Sequence, residues 1–236
     1  MYVARPPLFS NVITFDHYID LIYNTSFMHN VWNSFVIAAI TTIICLAIGI
    51  LGSYAMTRLK YPGRSFFRNS IIISYLMPTA VLFVPMYVFV SSLGFYDNKY
   101  ALLIIYPTFV VPYCCYMLIS YFKAIPYALE EAALIDGCNR LQTLWYIIMP
   151  IALPGIAVVA TFAFTMAWNE YLYAMIMTTS NVQKTATVAI SGFKYADSAI
   201  WGRIMSASVV CSLPVTLLYI VAQSMLISGK YEGSVK

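Results

Sequence analysis

The chain has 236 residues, of which 61% are hydrophobic and only 9% charged, where an ordinary soluble domain carries ~25% charged residues. So few charges cannot cover the surface of a soluble fold of this size, which excludes that class and leaves a multispan membrane protein. The net charge of +4 is too mild to point to nucleic acid or to an acidic substrate.

Residues 1–30 contain neither a span nor a signal-peptide core and read as an extracytoplasmic N-terminal segment. Five apolar stretches then follow, at about 31–56, 67–93, 101–122, 154–177 and 204–226, each long enough for the ~20 residues a helix needs to cross a bilayer. The first link carries Arg58, Lys60, Arg64 and Arg68 with no acid, and turns at Pro62-Gly63. Such a cluster of cations in a short loop marks the cytoplasmic side. Alternation then puts loop 123–153 in the cytoplasm, link 178–203 outside, and the tail 227–236 inside. The expected fold class is all-α, a polytopic membrane helix bundle of five spans, with the transmembrane domain at 31–226. Pro78, Pro85, Pro107, Pro112 and Pro214 lie inside spans and predict kinks. Gly49 with Gly52 and Ser53, and Ala163 with Ala167, predict close helix packing.

The loop 123–153 is a polar island between apolar segments. Pro126 suits the start of a short helix, and Glu130 and Glu131 follow near the positive end of its dipole. Ala128, Ala132 and Ile135 fall on one face, and Gly137 ends the helix. A second helical stretch, 140–148, sets Leu141, Leu144, Trp145 and Ile148 on a stripe expected to lie against the membrane helices. Pro150 and Pro154 are expected to redirect the chain into the fourth span.

No Gly-x-x-x-x-Gly-Lys-Ser/Thr occurs, so no nucleotide site, and no bound cofactor, is expected in this chain. The five cysteines form no Cys-x-x-Cys pair, and the two histidines, His17 and His29, sit near the start. No metal site is expected, and the cysteines read as small apolar fillers. The one acid within an expected span, Glu170, lies ~24 Å along the helix from Pro154, away from the midplane where an ion-coupling acid would sit. Trp168-Asn169-Glu170-Tyr171 closes that span. Aromatic faces beside an amide and a carboxylate make these four residues the candidate substrate path. The alternative is an interfacial aromatic belt.

Glu131-Ala132-Ala133, three residues, Gly137, nine residues, then Ile147-x-Met149-Pro150 resembles the EAA loop of binding-protein-dependent ABC import permeases, with Met149 in place of the usual Leu. Trp168-Asn169-Glu170-Tyr171 resembles the signature of the carbohydrate-import branch, and the tail, with Gly229, Gly233 and Val235-Lys236, resembles that family's ending. The likeness runs from about residue 13 onward. It implies a maltose-type permease subunit of the inner (cytoplasmic) membrane, a transport subunit and not an enzyme, that carries a sugar or oligosaccharide. It implies that Glu130, Glu131, Ala132, Ala133, Asp136, Gly137 and Pro150 belong to a loop docking onto an ATPase. The implied partners are a second permease subunit, two ABC ATPase subunits that hold the ATP and Mg, an extracytoplasmic solute-binding protein, and membrane lipid. Members of the family usually have six spans, so the first helix is missing from the five read here. The alternatives are a permease for a polyol or glycerol-phosphate, and a secondary transporter or channel subunit.

Overall fold

The computed structural model describes residues 14–195, 198–199 and 201–232. Residues 1–13 of the expected outer segment and 233–236 of the expected tail lie outside them.

The described chain is a bundle built around one long helix. A short helix α1 (Asp16–Tyr23) precedes α2 (Phe27–Arg58), which is apolar enough to cross a membrane. α2 buries Ile37, Ala38, Cys45, Gly49 and Ser53, and its main partners are α6 (Pro107–Ala124) and α9 (Met149–Trp168). Glycine sets the first crossing: a Cβ on Gly49 would stand 3.0 Å from the Cβ of Cys114. One turn further on, the Ser53 hydroxyl donates to the carbonyl of Cys115 at 3.1 Å. This is the close small-residue packing expected at 49–53, and an interhelical hydrogen bond accompanies it.

The expected second span is not one helix. α3 (Arg64–Leu76) stops before Pro78, a 3₁₀ turn covers Thr79–Leu82, and α4 (Phe83–Ser92) leaves at 91° to α3. A proline disfavours helical backbone in the residue before it, and Met77 is extended at φ −68°, ψ 130°. The hydroxyl of Tyr173 satisfies the Thr79 carbonyl at the break, at 2.8 Å, as a break among apolar helices requires. The third span also bends, by 42°, between Lys99–Ile105 (which includes α5, Leu102–Ile105) and α6. Among the described residues, three helices are long and apolar enough to cross a membrane, and up to five spans result if each bent pair counts as one.

The fourth span begins earlier than expected. A continuous helix runs Arg140–Trp168, made of α8 (Arg140–Thr143), a π-turn at Leu144–Ile148, and α9. Pro150 and Pro154 therefore do not redirect the chain. Pro150 sits in the first turn of α9, where its missing N–H is tolerated, next to a π-turn that already loosens the i→i−4 ladder. Residues 172–177 form a separate helix, α10 (Leu172–Met177). The stripe expected to face the bundle splits in two: Leu144 and Ile148 are fully buried, while Leu141 and Trp145 are exposed. The two i, i+4 rows lie about 60° apart around a helix, and only one of them reaches the core.

The link after α10 carries α11 (Ala186–Ser191) and a two-residue antiparallel pair, β1 (Lys194–Tyr195) with β2 (Ser198–Ala199). Polar side chains fasten this link to the start of α2. The Asn33 amide donates to the carbonyls of Val182 (2.8 Å) and Lys184 (3.0 Å), and Lys99 Nζ donates to Asn33 Oδ1 at 2.7 Å. The amides of Thr179 and Ser180 donate to Asp97 Oδ1; these bonds, that of Ser180 foremost, hold Asp97 below the usual carboxylate range. The last helix, α12 (Trp201–Glu232), continues into the tail expected at 227–236.

Gly155 makes a close contact with α6 inside the bundle. A Cβ there would stand 2.6 Å from Tyr121 Cδ1 and 2.8 Å from its Cγ. Gly155→Ala is expected to destabilise the bundle by ~1–3 kcal/mol, as overpacking does. At Gly52 the nearest atom to a Cβ is 3.7 Å away, so Gly52→Ala is expected to be neutral or to gain up to ~1 kcal/mol from helix propensity. Thermal unfolding of the purified protein in detergent checks both; a Gly155→Ala protein as stable as the Gly52→Ala one would contradict the assigned packing.

Candidate functional site

Arg58, the last residue of α2, has a fully buried side chain. Its Nη2 donates to the carbonyls of Phe122 (2.7 Å) and Ile125 (2.6 Å) where α6 ends. Its Nε stands 2.7 Å from Oε1 of Glu130, which is itself buried. That approach is off the N–H direction, and neither atom counts as hydrogen-bonded, so the contact is an ion pair and not an aligned hydrogen bond. The guanidinium carbon lies 4.1 Å from the ring centre of Tyr127, a cation–π contact. The Tyr127 hydroxyl donates to Thr57 O at 2.7 Å, and Arg64 donates to the carbonyls of Met56 and Thr57 at 2.6 Å each. The end of α2, the end of α6 and the start of α7 (Tyr127–Ile135) are therefore pinned together around one buried cation.

Burial pushes the Glu130 carboxyl above its usual range, and the charges of Arg58 and Arg140, with the Tyr54 hydroxyl, only partly offset this. Arg140 contributes weakly, from 3.9 Å and with half its side chain exposed. A buried pair of this kind adds little net stability but is costly to break from one side.

The clamp splits the two adjacent acids. Glu130 faces inward with Ala133, while Glu131, Ala132 and Asp136 are exposed. Ala128 joins the exposed side, and Ile135 is 85% exposed. The face 128, 132 and 135 is thus an outward surface of small and apolar residues. Gly137 ends α7 in the left-handed region at φ +89°. The Cys138 amide donates to Ala133 O (3.0 Å) and the Gly137 amide to Leu134 O (3.2 Å), the paired bonds of a Schellman turn. Asn139 and Gln142 then close a reciprocal capping box, with Oδ1 accepting from the Gln142 amide at 2.9 Å and Oε1 from the Asn139 amide at 2.8 Å. The connection between helices α7 and α8 is short and fully bonded, so the elbow is stiff. Pro150 is exposed near its far end.

The other sequence-picked quartet lies elsewhere, beyond the full ~30 Å length of α9. Trp168 is 3% exposed, stacks on Phe164, and donates from Nε1 to Cys211 O at 3.2 Å. The Glu170 carboxylate accepts from the Tyr106 hydroxyl (3.0 Å) and from the amides of Tyr173 (3.0 Å) and Ala174 (3.1 Å). It ties the start of α10 to the helix before α6. Tyr171 is half-buried, and Asn169 is exposed. Trp168 and Glu170 therefore spend their polar atoms inside the protein.

Sequence reasoning read Arg58 only as one of four loop cations and did not single out Tyr127. A cation at a span end has the same composition whether it faces water or a neighbouring helix. The Asn139-x-x-Gln142 spacing was a readable signal.

Glu130→Gln leaves the buried Arg58 charge without its counter-ion and is expected to cost ~3–5 kcal/mol. The same change at exposed Glu131 is expected to stay within about 0.5 kcal/mol. Unfolding midpoints of the two proteins check this, and equal midpoints would contradict the clamp.

Residues 46–228 match the family described as a binding-protein-dependent transport system inner membrane component. Among its relatives is the inner membrane ABC transporter permease protein YcjP of Escherichia coli (strain K12), 37% identical over 235 residues, covering 98% of this chain and 84% of the relative. Another is the trehalose/maltose transport system permease protein MalG of Thermococcus litoralis, 30% identical over 233 residues, with 98% and 84% covered. Among solved structures, a bacterial ABC transporter involved in the import of the acidic polysaccharide alginate aligns with a TM-score of 0.75, at 22% identity, over 90% of this chain and 79% of that one.

Proposed function

This chain belongs to the family of binding-protein-dependent transport system inner membrane components, and on that premise we propose that it is a permease subunit of an ATP-driven importer that carries a sugar or oligosaccharide across the cytoplasmic membrane. Relatives named for trehalose, for trehalose and maltose, and for diacetylchitobiose support the cargo class. A second permease subunit, two ATPase subunits and an extracytoplasmic binding protein complete the assembly. ATP and Mg belong to the ATPases.

One observation carries the mechanism: an exposed apolar face on a helix whose opposite side is pinned by a buried cation. On this reading the elbow faces the cytoplasm, where the basic link 58–68 also lies. Ala128, Ala132 and Ile135 enter a cleft on the ATPase, because small side chains let the partner approach closely. When ATP draws the ATPases together, α7 is carried with them. Arg58 passes the displacement to the ends of α2 and α6, and the stiff turn at Gly137 passes it to the helix that becomes the fourth span. The membrane path then switches from inward-facing to outward-facing.

Ala132→Arg and Ile135→Asp are expected to abolish co-purification of the ATPase subunits and ATP-dependent uptake, with the unfolding midpoint of the isolated chain unchanged. Uptake and ATPase attachment at wild-type levels in both variants would overturn the docking role.

A further inference from the structure

The short helix α1 has three chemically different sides. Leu21 is fully buried, in a cluster with Phe27, Ala186 and Ala207. Asp16, Asp20 and Asn24 follow one another at i, i+4 and i+8 on a polar side. There the Asn24 amide donates to Asp20 Oδ1 at 3.0 Å, and Asp20 pairs with Arg203 near the start of α12. Phe15, Ile19, Ile22 and Tyr23 make the third side, at i, i+4, i+7 and i+8, and all four are exposed. A Cβ on Gly202 would run into the His17 ring, so α1 lies close against the first turn of α12. The helix is thus docked by Leu21, Asp20 and His17, with its apolar side turned away from the bundle.

Chain geometry fixes the level at which α1 lies. Residues 24–26 alone separate it from α2, which has 32 residues. At ~1.5 Å per residue α2 is ~48 Å long, close to the ~40–45 Å of a bilayer with its headgroup layers. With the basic link after Arg58 at one surface, the start of α2 reaches the opposite surface and carries α1 there. Exposed Trp32, in the second turn of α2, and exposed Trp201, the first residue of α12, lie near this end of the bundle, and tryptophan favours the boundary between headgroups and acyl chains. A helix at that boundary, resting on the bundle by one side, meets water on one free side and acyl chains on the other. The residues of α1 are sorted in this way, with both acids on one free side and none on the apolar one. Its eight residues are too few to cross the membrane.

We propose that α1 is an interfacial anchor: Phe15, Ile19, Ile22 and Tyr23 sink into the phospholipid leaflet at the end of the bundle opposite the basic link, while Asp16, Asp20 and Asn24 face water. The occupant of the apolar side is phospholipid. Through the Asp20–Arg203 pair and the contact of His17 with Gly202, the anchor holds the start of α12 at a fixed depth. The proposal needs the membrane-spanning assignment and does not depend on the cargo.

The test uses the assembled transporter, with its companion permease, ATPases and binding protein, in proteoliposomes of phosphatidylethanolamine and phosphatidylglycerol. The photo-crosslinker benzoylphenylalanine replaces Ile19, Ile22, Asp16 or Asn24, one at a time, and mass spectrometry identifies the adducts after irradiation. Phospholipid adducts are expected at positions 19 and 22, and only background at 16 and 24. A second measurement follows amide hydrogen exchange of the transporter in phospholipid nanodiscs. Residues 16–23 are expected to be protected in the wild type and to lose that protection in an Ile19→Asp, Ile22→Asp double variant, while the amides of α6 and α9 keep theirs. Adducts to the companion permease or the binding protein at 19 and 22, no lipid adduct there, equal lipid labelling at all four positions, or unchanged exchange in the double variant would overturn the anchor. None of these outcomes touches sugar uptake by the wild type, which tests the importer reading by itself.

Discussion

The arrangement depends on one cation that has no access to water. Arg58 must find its compensation inside the protein, because an uncompensated charge at such a site is prohibitively costly. It finds it in two carbonyls at the end of α6, in the carboxylate of Glu130 and in the ring of Tyr127. Each of these groups belongs to a segment that would otherwise be free to lie elsewhere on the bundle. The guanidinium therefore does more than cap a helix: it decides where α7 sits and which of its sides is turned outward. Two neighbouring glutamates then have opposite fates, since adjacent residues on a helix point about 100° apart.

The far end of the bundle uses the same principle, with buried Asn33 at its centre. Asn33 is fully buried at the start of α2 and bonds the link between α10 and α11 through its amide while accepting from Lys99. Asp97 adds a second tie to that link, and Glu170 ties the start of α10 to Tyr106. Between these polar ends the contacts are apolar and close, set by Gly49 against Cys114 and Gly155 against the Tyr121 ring. Without a hydrophobic force between helices in lipid, such close approach is what holds them. A bundle tied firmly at both ends and packed by small residues between them suits motion as whole helices.

Much of this was legible in the residues. Apolar length located the spans, and the anchors from Glu131 to Pro150 located the elbow, because both signals are local and periodic. The Gly137 turn was readable for the same reason: a left-handed residue after a helix is a backbone requirement that glycine meets. The right-angle break at Pro78 was legible only as a kink. How far a helix bends depends on which neighbour takes up the freed backbone groups, here Tyr173, almost a hundred residues away in sequence. The continuity of the helix through Pro150 was misread because a π-turn, which no composition announces, relieves the ladder ahead of it.

By itself the sequence determined the class of molecule, the positions of the apolar segments and the family to which they belong, since each follows from composition and short-range spacing. Only the tertiary structure decided that Glu130 is spent inside while Glu131 is free, that Trp168 and Glu170 bond to the protein's own backbone and side chains, and that α1 rests on α12 with an apolar side turned outward. Each of these depends on which groups meet across helices, and a buried polar atom takes whichever partner the packing brings within reach. Identical residue types at identical spacings therefore end up bonded or available according to contacts that no local pattern encodes.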